Sequence, residues 1–131
     1  MPQFHKSPTM GVTNGQSKTI GVLTPFISSP FYAETMQGII SGLIGSGYFA
    51  LFSEALWNLE REKQAIQNLI ARRIDGLIMV GGESPPESLQ EINNQVPLIV
   101  IGRSVTNLTE RCLQIDDAIA FQIMILNLVL Y

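Results

Sequence analysis

Four short and nearly unbroken apolar runs, at residues 19–23, 48–52, 76–80 and 98–101, alternate along the chain with stretches whose apolar positions recur every three or four residues. Runs of Ile, Val, Leu and Met without polar alternation fit parallel strands buried on both faces, and the strand–helix rhythm predicts crossover helices between them. The expected architecture is an α/β, doubly wound parallel sheet of Rossmann-like kind, about five strands flanked by helices. The fifth strand is a short one at residues 111–115, following a loop at 102–109.

The first helix opens at Ser28-Ser29-Pro30, where a serine can cap free amides and proline suits the first helical position. Its inner stripe is Tyr32, Met36, Ile39, Ile40, Leu43 and Ile44, and Gly47 is placed to end it in a left-handed cap. A second helix starts at Asn58, has Glu60 and Glu62 in its first turn where the helix dipole favours acids, and ends on Arg72 and Arg73. Ala65, Ile66, Leu69 and Ile70 form its inner face. Pro85-Pro86 introduces a third helix at 87–94 with Leu89 and Ile92 inward, and Pro97 restarts the chain as a strand. The apolar stretch 118–131 is interrupted by Gln122 and Asn127 and is shorter than the roughly 20 residues of a membrane span. It reads as a helix in need of a partner, with no membrane contact expected.

With 131 residues, 46% of them hydrophobic and 15% charged, the chain has the composition of one domain with a true core. Its net charge of −3 argues against this piece gripping nucleic acid alone, because phosphate binding needs a clustered basic surface, and contact with DNA is expected to come from elsewhere. Cys112 and His5 are single, which excludes a disulfide framework or a histidine-based metal cluster within one copy; no cofactor is expected either. Cys112 is expected as a small buried hydrophobe and His5 as a solvated tail residue. Residues 1–17 are polar, broken by Pro2, Pro8, Gly11 and Gly15, and hold no secretory apolar run, giving a cytoplasmic expectation.

In an open parallel sheet, ligands bind beyond the carboxyl ends of the strands, where neighbouring connections leave in opposite directions. The loops at 24–30, 81–86 and 102–109 hold Ser28, Ser29, Glu83, Arg103 and Thr106, with Phe31 and Tyr32 at the rim and Asp116 and Asp117 after the fifth strand. Aromatic faces with a few carboxylates and a guanidinium suit a polyhydroxylated ligand. The same set does not suit catalysis. No histidine lies near a serine, Cys112 has no base beside it, and the P-loop lysine is missing, so the chain is not expected to be an enzyme. Gly81-Gly82 lacks the full dinucleotide fingerprint. Plainer roles exist for most of these residues: Ser29 as a helix start, Phe31 as core, Asp116 or Asp117 as a cap. Arg103, directly after a buried strand and a glycine, has no packing role legible in the sequence and is the sharpest ligand candidate.

Residues 13–23 resemble the junction between DNA-binding hinge and effector domain in regulators of the LacI/GalR family. Further motifs follow in order. Ser28-Ser29-Pro30-Phe31-Tyr32 with Gly38-Ile39 is similar to the family's ligand-side loop and first helix, and Gly47-Tyr48 to its approach to strand two. Glu60-Arg61-Glu62 with Ile66, Leu69 and Ile70 resembles its second helix. Arg73-Ile74-Asp75-Gly76-Leu77-Ile78 and Val96-Pro97-Leu98-Ile99-Val100-Ile101-Gly102-Arg103 are similar to two of its most recognisable segments. The resemblance implies the N-terminal lobe of a type I periplasmic-binding-protein-like effector domain, in which a sugar or related small molecule closes two lobes. It also implies a homodimer in the parent protein, with operator DNA bound only through a helix-turn-helix. By matching position, Ser29, Phe31, Tyr32, Arg103 and Asp116 would be this lobe's ligand contacts, and the first helix part of a dimer surface. Residues 1–17 would be a flexible tail or hinge remnant and 18–131 the lobe, truncated before its C-terminal partner lobe and without the helix-turn-helix. Asp116-Asp117-Ala118-Ile119-Ala120 departs from the family in keeping the acids while losing a glycine. The alternatives are a lobe of a periplasmic sugar-binding transport protein and a remnant without independent activity.

Overall fold

The apolar runs become strands β1 (Thr19–Thr24), β2 (Phe49–Glu54), β3 (Gly76–Val80) and β4 (Leu98–Ile101), joined by a two-residue β5 (Cys112–Leu113). The structure is a computed structural model that describes residues 17–106 and 108–113, without the side chains of Phe31, Glu110 and Leu113. All strand pairs are parallel, in the order β2-β1-β3-β4-β5. Val22 lies between Phe52 on one side and Ile78 on the other, while Ile101 lies between Val80 and Leu113. The chain steps outward from β1 to β2, then crosses back over β1 to β3, so the switch in direction falls between β1 and β3. β5 is shorter than the expected 111–115: Arg111 belongs to a single 3₁₀ turn, Thr109–Arg111, and residues 114–115 lie outside the described residues.

Three helices connect the strands: α1 (Pro30–Leu43), α2 (Leu59–Ala71) and α3 (Pro86–Gln95). Asn58 caps α2 as its sequence position predicts, its side chain accepting a hydrogen bond from the Arg61 amide at 2.9 Å. The stripe of α1 is narrower than the sequence suggests. Tyr32, Met36, Ile39 and Leu43 are buried, but Ile40 is half exposed and Ile44 is 76% exposed. Ile40 is rotated about 100° from Ile39 on the helix, and Ile44 falls in the turn after the helix has ended at Leu43.

Alternation along the buried strands divides the interior into two cores, one per face. Ile20, Val22, Ile78, Val80, Ile99 and Ile101 share a core with the α1 stripe. Leu23, Leu77, Met79, Leu98 and Val100 pack with Ala65, Ile66 and Leu69 of α2 and Leu89 and Ile92 of α3. At the amino ends of the strands, the Asp75 carboxylate accepts hydrogen bonds from the Ser17 and Lys18 amides at 3.1 and 3.0 Å, fixing the approach to β1. Cys112 is half-buried rather than fully buried, and its thiol donates to the Leu108 carbonyl at 3.1 Å.

Candidate functional site

Parallel pairing brings the loops after β1, β2, β3 and β4 to one end of the sheet. The loop after β1 is tied to the end of β2: the Ile27 amide donates to Glu54 Oε2 at 2.7 Å and the Leu56 amide to the Pro25 carbonyl at 2.8 Å. Leu56 and Trp57 both adopt left-handed backbone, φ 54° and 56°, which costs a residue other than glycine roughly 1–3 kcal/mol. That turn leaves the Trp57 ring 58% exposed, with its centroid 6.1 Å from the ring of Tyr32. Tyr32 itself is buried, and its hydroxyl lies 3.7 Å from where a β-carbon on Gly81 would stand. Burial pushes its phenol pKa above the ordinary 10.0, because the phenolate would lose its hydration there.

The loop after β3 is the most heavily tied part of this end. Gly81 and Gly82 take φ of +69° and +99°, a left-handed pair that turns the amides of Glu83 and Ser84 toward the first turn of α2. There the Glu62 carboxylate, only 2% exposed, accepts from the Glu83 amide with Oε1 and from the Ser84 amide with Oε2, both at 2.9 Å. The Ser84 hydroxyl makes a further short bond to Oε2. On the loop's other side, Arg103 donates from Nη1 to the Gly82 carbonyl at 3.1 Å and from Nη2 to the Ser84 carbonyl at 3.0 Å. The Gly82–Glu83 peptide is therefore held between a carboxylate at its N–H and a guanidinium at its C=O. Each charge strengthens the other's bond through the peptide dipole.

Of the five residues read from the sequence as ligand contacts, two have fully described positions that meet. Tyr32 and Arg103 both reach the Gly81-Gly82 segment, one by its hydroxyl and the other by its guanidinium. Ser29 stands half-buried immediately before α1, and its backbone carbonyl accepts from the Tyr32 amide at 3.0 Å. Phe31 is within α1, but its side chain lies outside the described residues, as does Asp116 entirely. For Arg103 the structure corrects one expectation: it has a packing role, bracing the β3–α3 loop. Two of its five N–H donors are used in those bonds.

Sequence reasoning missed Glu62 and Trp57 as parts of this end and left Ser84 unnamed within the 81–86 loop. A signal for Glu62 existed: it precedes Ala65, Ile66 and Leu69 by three, four and seven residues and so belongs to the buried stripe of α2, not merely to its acidic first turn. Glu62, Trp57, Gly82 and Glu83 line a recess with Thr24 and Pro25 that has room for about one water molecule. Thr24 Oγ1 is buried beside it without a hydrogen-bond partner among the described residues. Among the described residues, no group of three His, Cys, Asp or Glu is placed to hold a metal ion, and no helix is long and apolar enough to cross a membrane.

No family model matches the chain. Catabolite control protein A of Staphylococcus aureus is 32% identical over 94 residues, which make up 70% of this chain and 28% of that protein. The HTH-type transcriptional repressor CytR of Escherichia coli is 29% identical over 110 residues, 83% of this chain and 32% of that protein. The matched region thus spans about a third of the length of these relatives. Among solved structures, the Cra transcriptional dual regulator of Pseudomonas putida, crystallised with fructose 1-phosphate, superimposes with a TM-score of 0.63 at 29% identity, covering 69% of this chain and 34% of that one. A LacI regulator from Lactobacillus casei superimposes with a TM-score of 0.64 over 76% of this chain and 36% of that one; at 23% identity it supports the fold alone.

Proposed function

Since the chain belongs to the LacI/GalR family of transcriptional regulators and carries the N-terminal lobe of their effector domain, we propose that it forms one wall of a cleft for a sugar or related small molecule. The observation that supports this reading best is the meeting of Tyr32 and Arg103 at Gly81-Gly82, beside the switch point between β1 and β3. Arg103 keeps N–H donors beyond the two spent on the loop, and a half-buried guanidinium of that kind suits paired hydroxyls. In this reading Ser29, Phe31, Tyr32, Arg103 and Asp116 are the lobe's ligand contacts, and the opposite wall belongs to the second lobe of the regulator.

Ligand closure would then change how two copies of the regulator, paired as a homodimer in the cytoplasm, present their DNA-reading heads to an operator. The chain's own charge of −3 leaves operator contact to a different part of the regulator. The relatives are transcription regulators, and the proposed chemistry is binding without turnover. The test is calorimetric titration of the chain with a panel of pentoses, hexoses, their phosphates and nucleosides. We expect heat with at least one member and its loss in Arg103→Ala. An unaltered titration in Arg103→Ala would remove that residue from the site, and silence across the panel would overturn the reading for this chain.

A further inference from the structure

Two left-handed glycines aim the amides of Glu83 and Ser84 at one point, and the Ser84 hydroxyl joins them. Successive N–H groups converging in this way make a nest, an arrangement suited to holding an oxyanion. The nest lies at the ligand end of the sheet and opens toward the first turn of α2, with the Arg103 guanidinium on the other side of the same loop. A phosphate group in an empty nest would find three donors, with a cation bonded to the far side of the same loop. Instead, the chain supplies the anion itself: the Glu62 carboxylate fills the nest from α2, buried to 2% exposure. The fit is close, because a β-carbon on Gly82 would stand only 3.1 Å from Glu62 Oε1 and 3.2 Å from Oε2.

From this we infer that Glu62 determines the charge preference of the site. By occupying the nest with a carboxylate of the chain, it leaves the nearby Arg103 for an uncharged polyol and turns away a phosphorylated one. A second anion brought to the loop would meet filled donors and a like charge, and like charges facing each other across a contact are a strong means of excluding the wrong partner. The inference rests on the effector-site reading above for the identity of the ligand, but the state of the nest can be measured without any sugar.

The experiment uses inorganic phosphate as the probe and the full chain in three forms: wild type, Glu62→Gln, which removes the charge and keeps the plug, and Glu62→Ala, which removes both. Amide resonances of Glu83 and Ser84 and the side-chain Nε resonance of Arg103 report binding. Wild type should show no saturable shift at millimolar phosphate, Glu62→Gln a weak one, and Glu62→Ala binding tighter than wild type by roughly tenfold or more. Equal phosphate binding in all three forms would overturn the inference. So would saturable binding at the Glu83 and Ser84 amides of the wild type, a result that needs no variant to fold. A panel sugar that moves the Arg103 resonance tests the effector site separately. Failure of that response with the phosphate ranking intact would overturn the effector site and leave the charge assignment standing.

Discussion

Glu62 and Asp75 perform the same local task at opposite ends of the sheet, and the difference between them lies in their surroundings. Each is a carboxylate that accepts two backbone amides from a segment distant in sequence, Glu83 and Ser84 in one case and Ser17 and Lys18 in the other. Asp75 does so at a half-exposed edge, where water can replace either donor if the carboxylate is lost. Glu62 does so in the interior, where its donors would stay unsatisfied, so identical bonds have unequal consequences. The protein has placed the irreplaceable carboxylate at the ligand end and the replaceable one at the end from which the chain arrives.

Removing each carboxylate is the most direct way to break the comparison. Glu62→Ala leaves two amides and a hydroxyl without an acceptor and should cost about 3 kcal/mol of stability in urea unfolding. A loss no larger than that of Asp75→Ala would mean that burial does not separate the two sites. Gly82→Ala should cost about 2 kcal/mol, since its β-carbon crowds the Glu62 carboxylate and its φ of +99° is strained for alanine. It should also speed hydrogen exchange at the Glu83 and Ser84 amides, and unchanged exchange there would separate the glycine from the nest.

Asp75→Ala should cost about 1 kcal/mol, with faster exchange confined to the Ser17 and Lys18 amides. The smallest effect is that of Tyr32. Its phenol pKa is raised by burial, so the folded state holds its proton where the unfolded chain has begun to release it. The stability this contributes is complete below the ordinary pKa of 10.0 and declines as the pH rises through the higher folded value. Unfolding midpoints measured across that alkaline range should fall less in Tyr32→Phe than in wild type. An equal fall would assign the alkaline loss to other groups.

The strands of this protein were legible because burial on both faces requires continuous apolar runs: β3 and β4 occur at the predicted residues, and the start of α2 followed from Asn58. Ligand-end loops could be named as well, since a parallel sheet with crossover helices puts them together by topology alone. What the sequence could not contain was the partner of each polar side chain. Arg103 read as a free loop cation, and Glu62 as an acid favoured by a helix dipole, because the separations of 19 residues between Arg103 and Ser84 and of 21 between Glu62 and Glu83 carry no local periodicity. Ile40 likewise fitted a helical stripe whose true width was set by how much of α1 the sheet could cover, and Ile44 fitted it although the helix ends at Leu43. Local order thus follows from the spacing of side chains along one segment. Only the folded chain decides which distant carbonyls and amides meet, and through them whether a charge braces a loop, fills a nest or faces a ligand.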